Sequence, residues 1–137
     1  MKGYRIGIAI LCEDIRREIR NKLTIVGMYT GDVVVAAYPA RLSIAAYVEV
    51  IASDPGEHQL TITMSGPGEE SAVISATART TQTDQTITLV LPRGELVAQQ
   101  AGKFEIRIGA NDDQVVALTK NFIVGEVEAP DFVPMPE

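Results

Sequence analysis

Arg41-Leu42-Ser43-Ile44-Ala45-Ala46-Tyr47-Val48-Glu49-Val50 is the stretch that decides the fold. Leu42, Ile44, Ala46, Val48 and Val50 fall on one side of it, and Arg41, Ser43, Tyr47 and Glu49 on the other. A repeat of two is the signature of a strand with one dry face and one wet face. The same beat returns at Leu60/Ile62/Met64, Ile87/Leu89/Leu91 and Phe104/Ile106/Ile108. Between these runs stand Ser53-Asp54-Pro55-Gly56, Gly66-Pro67-Gly68, Pro92-Arg93-Gly94 and Asn111-Asp112-Asp113. Proline presets one turn dihedral and glycine permits a positive one, so each of these groups turns the chain.

Working outward, the pattern predicts strands at 4–11, 22–30, 33–36, 41–52, 58–65, 72–79, 85–91, 103–109 and 115–124. That is about eight to nine antiparallel strands at the spacing of an all-β sandwich or barrel. Strand–helix alternation is absent, which excludes a nucleotide-binding α/β fold. In the first strand Tyr4, Ile6, Ile8 and Ile10 are expected inward, and in the second Leu23, Ile25 and Met28. Gly27 marks a bulge or a close backbone approach. Residues 92–94 read as a stop, with Leu96 and Val97 covering an edge. One domain, 1–125, is followed by a tail, 126–137, too rich in proline for a central strand.

Composition narrows the function classes. With 137 residues, 46% hydrophobic and 22% charged, the chain is an ordinary globular one. The absence of Trp and the shortage of other aromatics count against broad platforms for stacking sugars or bases. A net charge of −6 opposes phosphate backbones, so no nucleic acid is expected as a partner. Nor is a membrane, since no run approaches the ~18 apolar residues of a spanning helix. The single cysteine, Cys12, rules out an internal disulfide and fits a cytoplasmic protein. Met1, Lys2 and the apolar run ending at Cys12 superficially resemble a lipoprotein signal. Arg5 interrupts that run, and Leu11 stands where cleavage needs a small residue.

No constellation demands an enzyme, a cofactor or a metal. His58, the only histidine, begins a strand and reads as a surface residue rather than a catalytic base. Cys12 ends a strand and reads as a small buried hydrophobe. The acid pairs Glu69-Glu70 and Asp112-Asp113, with Asp54 and Glu57, sit in turns without the spaced pattern of a calcium loop. The segment that breaks the beat is 12–22, a helical turn or a hairpin tip. Glu13, Asp14, Arg16, Arg17, Glu18, Arg20 and Lys22 are concentrated there beside Ile15 and Ile19. Its charges look internally compensated, yet arginines flanked by isoleucines can anchor an interface. In the tail, Phe132, Val133 and Met135 form a candidate arm that packs on a second copy in a homo-oligomer.

The run Ile10-Leu11-Cys12-Glu13-Asp14-Ile15-Arg16-Arg17-Glu18, then Asn21-Lys22-Leu23-Thr24-Ile25-Val26-Gly27-Met28-Tyr29, resembles the opening of an uncharacterised bacterial family of small β-sandwich proteins. Its pattern is an acidic-Arg-Glu segment, Asn-Lys, and an apolar strand ending Gly-x-Tyr. Later stretches at Pro55–Ile62 and Ala101–Ile106 are similar to its Gly-led strands. The resemblance implies an immunoglobulin-like antiparallel β-sandwich with no established activity and no catalytic residues to carry over. Asp14 and Arg16 are expected to pair, and Gly27 to allow close packing. The expected function is a non-enzymatic module for protein–protein or self-association. The alternative is a carbohydrate- or calcium-binding sandwich that uses its end loops.

Overall fold

A computed structural model describes residues 1–68 and 71–125. Every regular element is a strand: β1 (Tyr4–Glu18), β2 (Lys22–Met28), β3 (Val33–Val35), β4 (Ala40–Ala52), β5 (Gly56–Ser65), β6 (Ser71–Thr80), β7 (Gln85–Ala98), β8 (Gly102–Ala110) and β9 (Asp113–Val124). They form a four-stranded sheet, β2-β1-β4-β7, and a five-stranded sheet, β3-β9-β8-β5-β6. Neighbours are antiparallel except β3 and β9, which run parallel. No described helix is long and apolar enough to cross a membrane.

The two sheets share one aliphatic core, built where the alternation placed it. Ile44, Ala46, Val48 and Val50 of β4 meet Leu60 and Ile62 of β5, Ile87, Leu89 and Leu91 of β7, and Phe104, Ile106 and Ile108 of β8. Phe104 and Phe122 stack with centroids 6.2 Å apart and rings 20° from parallel. Truncating such a ring to alanine typically costs about 3–5 kcal/mol, so the pair contributes substantially to stability. The Asn111-Asp112 loop joins Ala110 to its partner Asp113, with Asn111 at positive φ.

Three expectations are corrected. In β1 the register with β4 slips between Ile6 and Ala9. This bulge reverses the parity, so Ala9 and Leu11 turn to the core while Ile8 is left 48% exposed. The strand also runs on past Leu11 to Glu18, and of the two readings of 12–22 the structure has the hairpin, in regular register with β2. Finally, β7 does not stop at Pro92. It absorbs Pro92 and Arg93 as a bulge between Gly94 and Leu91, the partners of Ile44 and Ala46, and continues to Ala98 with Leu96 buried. An edge strand tolerates proline at a bulge, which is why the stop signal misled. Phe132, Val133, Met135 and the Glu69-Glu70 pair lie outside the described residues.

Candidate functional site

The hairpin of β1 and β2 is where the chain leaves its sandwich. β1 pairs with β4 only as far as Cys12, opposite Ala45; from Asp14 to Glu18 its partners are in β2 alone. Meanwhile β4 continues from Ile44 back to Ala40 against β7. Residues 13–27 therefore project as a two-stranded arm, supported at its base by a small set of contacts. Tyr29 N donates to Leu11 O at 2.9 Å, and Tyr29 Oη donates to Ser43 O at 2.8 Å. Cys12 Sγ points to the carbonyls of Ala45 and Asp14, each at 3.5 Å.

Gly27 lets the two arms of the hairpin close. It sits at φ +64, and a Cβ there would come within 2.8 Å of Glu13 Cδ. Glycine takes this left-handed conformation without the clash that a side chain brings. Burial pushes the Cys12 thiol up, the Asp14 carboxylate adding to that while the hydrogen bond to its carbonyl opposes it. Burial also raises the Tyr29 hydroxyl, helped by Glu13 and Cys12. At the base of the arm the Cys12 thiol is thus buried beside the carboxylates of Asp14 and Glu13.

The tip is the opposite. Ile19 is 86% exposed, and Arg20 and Asn21 both take positive φ to turn the chain. Arg16 Nε lies 3.6 Å from Asp14 Oδ2, the pairing expected from the sequence. It is the one ion pair on the arm among the described residues, so Arg17, Arg20 and Lys22 are not neutralised there. Glu18 stands directly across the hairpin from Lys22, and neither it nor Glu13 forms an ion pair among the described residues.

The arm also bends over the sandwich. Arg17, Asn21, Leu23 and Ile25 line a groove of about 510 Å³ with Tyr47, Thr88 and Val90. Thr88 and Val90 alternate with buried Ile87, Leu89 and Leu91, so the groove lies on the face turned away from the core. Leu23 and Ile25, expected inward, line this outer groove, and Met28 is 54% exposed. Tyr47 and Val90 were not singled out from sequence, and Tyr29 only as the end of the Gly-x-Tyr pattern; the available signal was an apolar residue on the wet side of a strand. Of the seven expected surface residues, the arm brings all together, while only Arg17 reaches the groove.

The other candidates fall elsewhere. His58 is buried, not on the surface, and sits between two hydroxyls: Tyr4 Oη at 2.6 Å from Nδ1 and Thr80 Oγ1 at 2.9 Å from Nε2. Thr80 Oγ1 in turn donates to Asp54 O at 3.3 Å. The imidazole is fully engaged in tying β1 to β5 and β6. At that same end, Asp113 accepts the Lys2 amide at 2.8 Å, a bond that lowers its carboxyl pKa. Among the described residues no three His, Cys, Asp or Glu side chains cluster as metal ligands.

A family model described as "Family of unknown function (DUF6941)" matches residues 7–121, taking in the whole arm. No curated protein matches the chain.

Proposed function

The chain belongs to that family of unknown function, and from its geometry we propose a non-enzymatic binding module whose arm grips a protein partner. The observation that carries this is exposed Ile19 beside Arg17, Arg20 and Lys22, which form no ion pair among the described residues, on a strand pair that runs beyond the pairing of β1 with β4. Arg17 in the groove beside Tyr47, with Leu23 and Ile25, fits an acidic segment that also presents an apolar side chain. A protein suits this better than nucleic acid, because the body as a whole carries −6. The buried free thiol fits a reducing cytoplasm.

Strand order supports the immunoglobulin-like reading. β5-β8-β9 follows the C-F-G order of one sheet, with β6 added beside the C position, and β1-β4-β7 follows A-B-E of the other. In such folds the scaffold is shared and function sits on what is grafted to it. The carbohydrate or calcium alternative draws on turn acids, one of which, Asp113, already holds the Lys2 amide.

A photo-crosslinking residue at position 19, compared with one at exposed position 82, tests the arm in the native cell. The expected result is a discrete protein adduct from 19 that disappears when R17E and R20E are added. The same adducts from both positions, or none from 19, would overturn the proposal. A melting shift with Ca²⁺ or glycans would favour the alternative instead.

A further inference from the structure

We propose that β6 is a self-association edge, through which two copies of the chain join antiparallel into one continuous sheet. The inference goes beyond the arm's reading as a partner-binding module and concerns a surface separate from the arm. Sheet edges present unpaired N–H and C=O groups, and proteins guard them with charge, proline, bulges or brevity. Three of the four edges here are guarded. β3 has three residues; β2 carries Lys22 and the left-handed Gly27; β7 carries Pro92, Arg93, Glu95 and a bulge. β6 has none of these devices along most of its length. Among the described residues it pairs only with β5, over ten consecutive positions without a register shift, and Arg79 is its sole charge. About five of its residues therefore turn N–H and C=O groups outward.

The sequence of β6 selects a second copy as the occupant. Ser71-Ala72-Val73-Ile74-Ser75-Ala76-Thr77-Ala78-Arg79 is closely self-complementary about Ser75. With a two-fold axis there, Ser75 faces Ser75, Val73 faces Thr77, Ile74 faces Ala76, Ala72 faces Ala78 and Ser71 faces Arg79. Val73, Ser75 and Thr77 are exposed, and Val73 at 66% is among the most exposed apolar side chains. Val–Thr pairs on a sheet face are favourable, and no like charges oppose each other. The two Arg79 side chains stand about 27 Å apart, eight strand residues at ~3.4 Å each.

The register makes the test specific. Sedimentation equilibrium on the full chain should show a concentration-dependent dimer. V73K/T77K places lysine opposite lysine twice and should weaken the dimer about tenfold. V73E/T77K turns the same contacts into Glu–Lys pairs and should restore wild-type association. Both positions are exposed, and unchanged melting of each variant would establish that folding is intact. S75C should form an interchain disulfide on mild oxidation, because opposed Cα atoms about 4.5–5.5 Å apart fit the bond. A chain that stays monomeric, or a dimer indifferent to the lysines with no S75C crosslink, overturns the proposal. R17E/R20E should leave the dimer intact, so failure of the arm and failure of the edge are read separately.

Discussion

Replacing Tyr4 and His58 singly and together tests the hydrogen-bond chain that ties the two sheets. Thr80 Oγ1 donates its one proton to Asp54 O, so it accepts from His58 Nε2–H. Nδ1 is then an acceptor, and Tyr4 must be its donor at 2.6 Å. The rings add an edge-to-face contact, centroids 5.3 Å apart at 83°. Tyr4→Phe keeps that contact but leaves Nδ1 without a donor, and orphaning a buried polar atom costs about 1–3 kcal/mol. Tyr4 is only half-buried, so about 1–2 kcal/mol is expected. His58→Leu strips both hydroxyls of a partner and loses packing, about 2–4 kcal/mol. In the double variant the orphaned Nδ1 no longer exists, so the two costs should fall short of additive by about 1 kcal/mol. Urea unfolding followed by far-UV circular dichroism measures all four corners. Additivity within about 0.3 kcal/mol would refute the hydrogen bond as drawn.

Further outcomes follow from the arm and its base. Gly27→Ala should destabilise the hairpin by about 1–2 kcal/mol through its left-handed backbone, with flexible, exposed Glu13 giving way to the new Cβ. Asn tolerates that conformation, so Gly27→Asn should cost less in amide exchange across residues 13–27; equal costs would refute the backbone account. Cys12 should react with a thiol reagent only after unfolding. Because its folded pKa is raised, its stabilising effect is fully present below the ordinary thiol value and is lost as pH rises through the folded one. Cys12→Ala should flatten the alkaline decline of the melting temperature above pH 9, and an unchanged decline would assign it elsewhere. Tyr38 Oη is buried without a partner among the described residues, so Tyr38→Phe should raise stability by about 0.5–1 kcal/mol in the same urea assay; a loss would show that the hydroxyl is bonded in solution.

Sheet membership of the central strands was legible because the core imposes it. Ile44, Val48, Ile62, Leu89 and Phe104 are buried wherever alternation put them. What alternation cannot show is a single inserted residue. The bulge before Ala9 exchanges which side chains of β1 face inward, and the bulge at 92–93 carries β7 through a proline. Both cost one residue of register and leave composition unchanged. The charged arm was legible as an exception, since Glu13 to Lys22 breaks the beat. Its groove was not, because Tyr47 and Val90 become a site only when β2 is laid over them. His58 was misplaced for a related reason: the partners that let it be buried, Tyr4 and Thr80, are 54 and 22 residues away.

The two proposed surfaces belong to different sheets of the sandwich, and this bears on how they work together. Across the core β1 contacts β9, and β7 contacts β6, so the β2 edge at the root of the arm and the β6 edge are at opposite sides, while the groove under the arm reaches Thr88 and Val90 of β7 on the outer face. Pairing through β6 therefore uses no residue of the arm or of its groove and leaves both arms free. A partner that repeats its acidic-apolar site would be held by both arms, and the second contact would form at the effective concentration set by the first. A partner with one site would gain nothing from the dimer. V73K/T77K should accordingly weaken capture of a repeating partner by ten-fold or more while leaving single-site affinity unchanged. Surface-bound partner at high and at low density supplies the two cases in one binding experiment. Equal affinity of wild type and V73K/T77K at both densities would show that the arm and the edge are not used together.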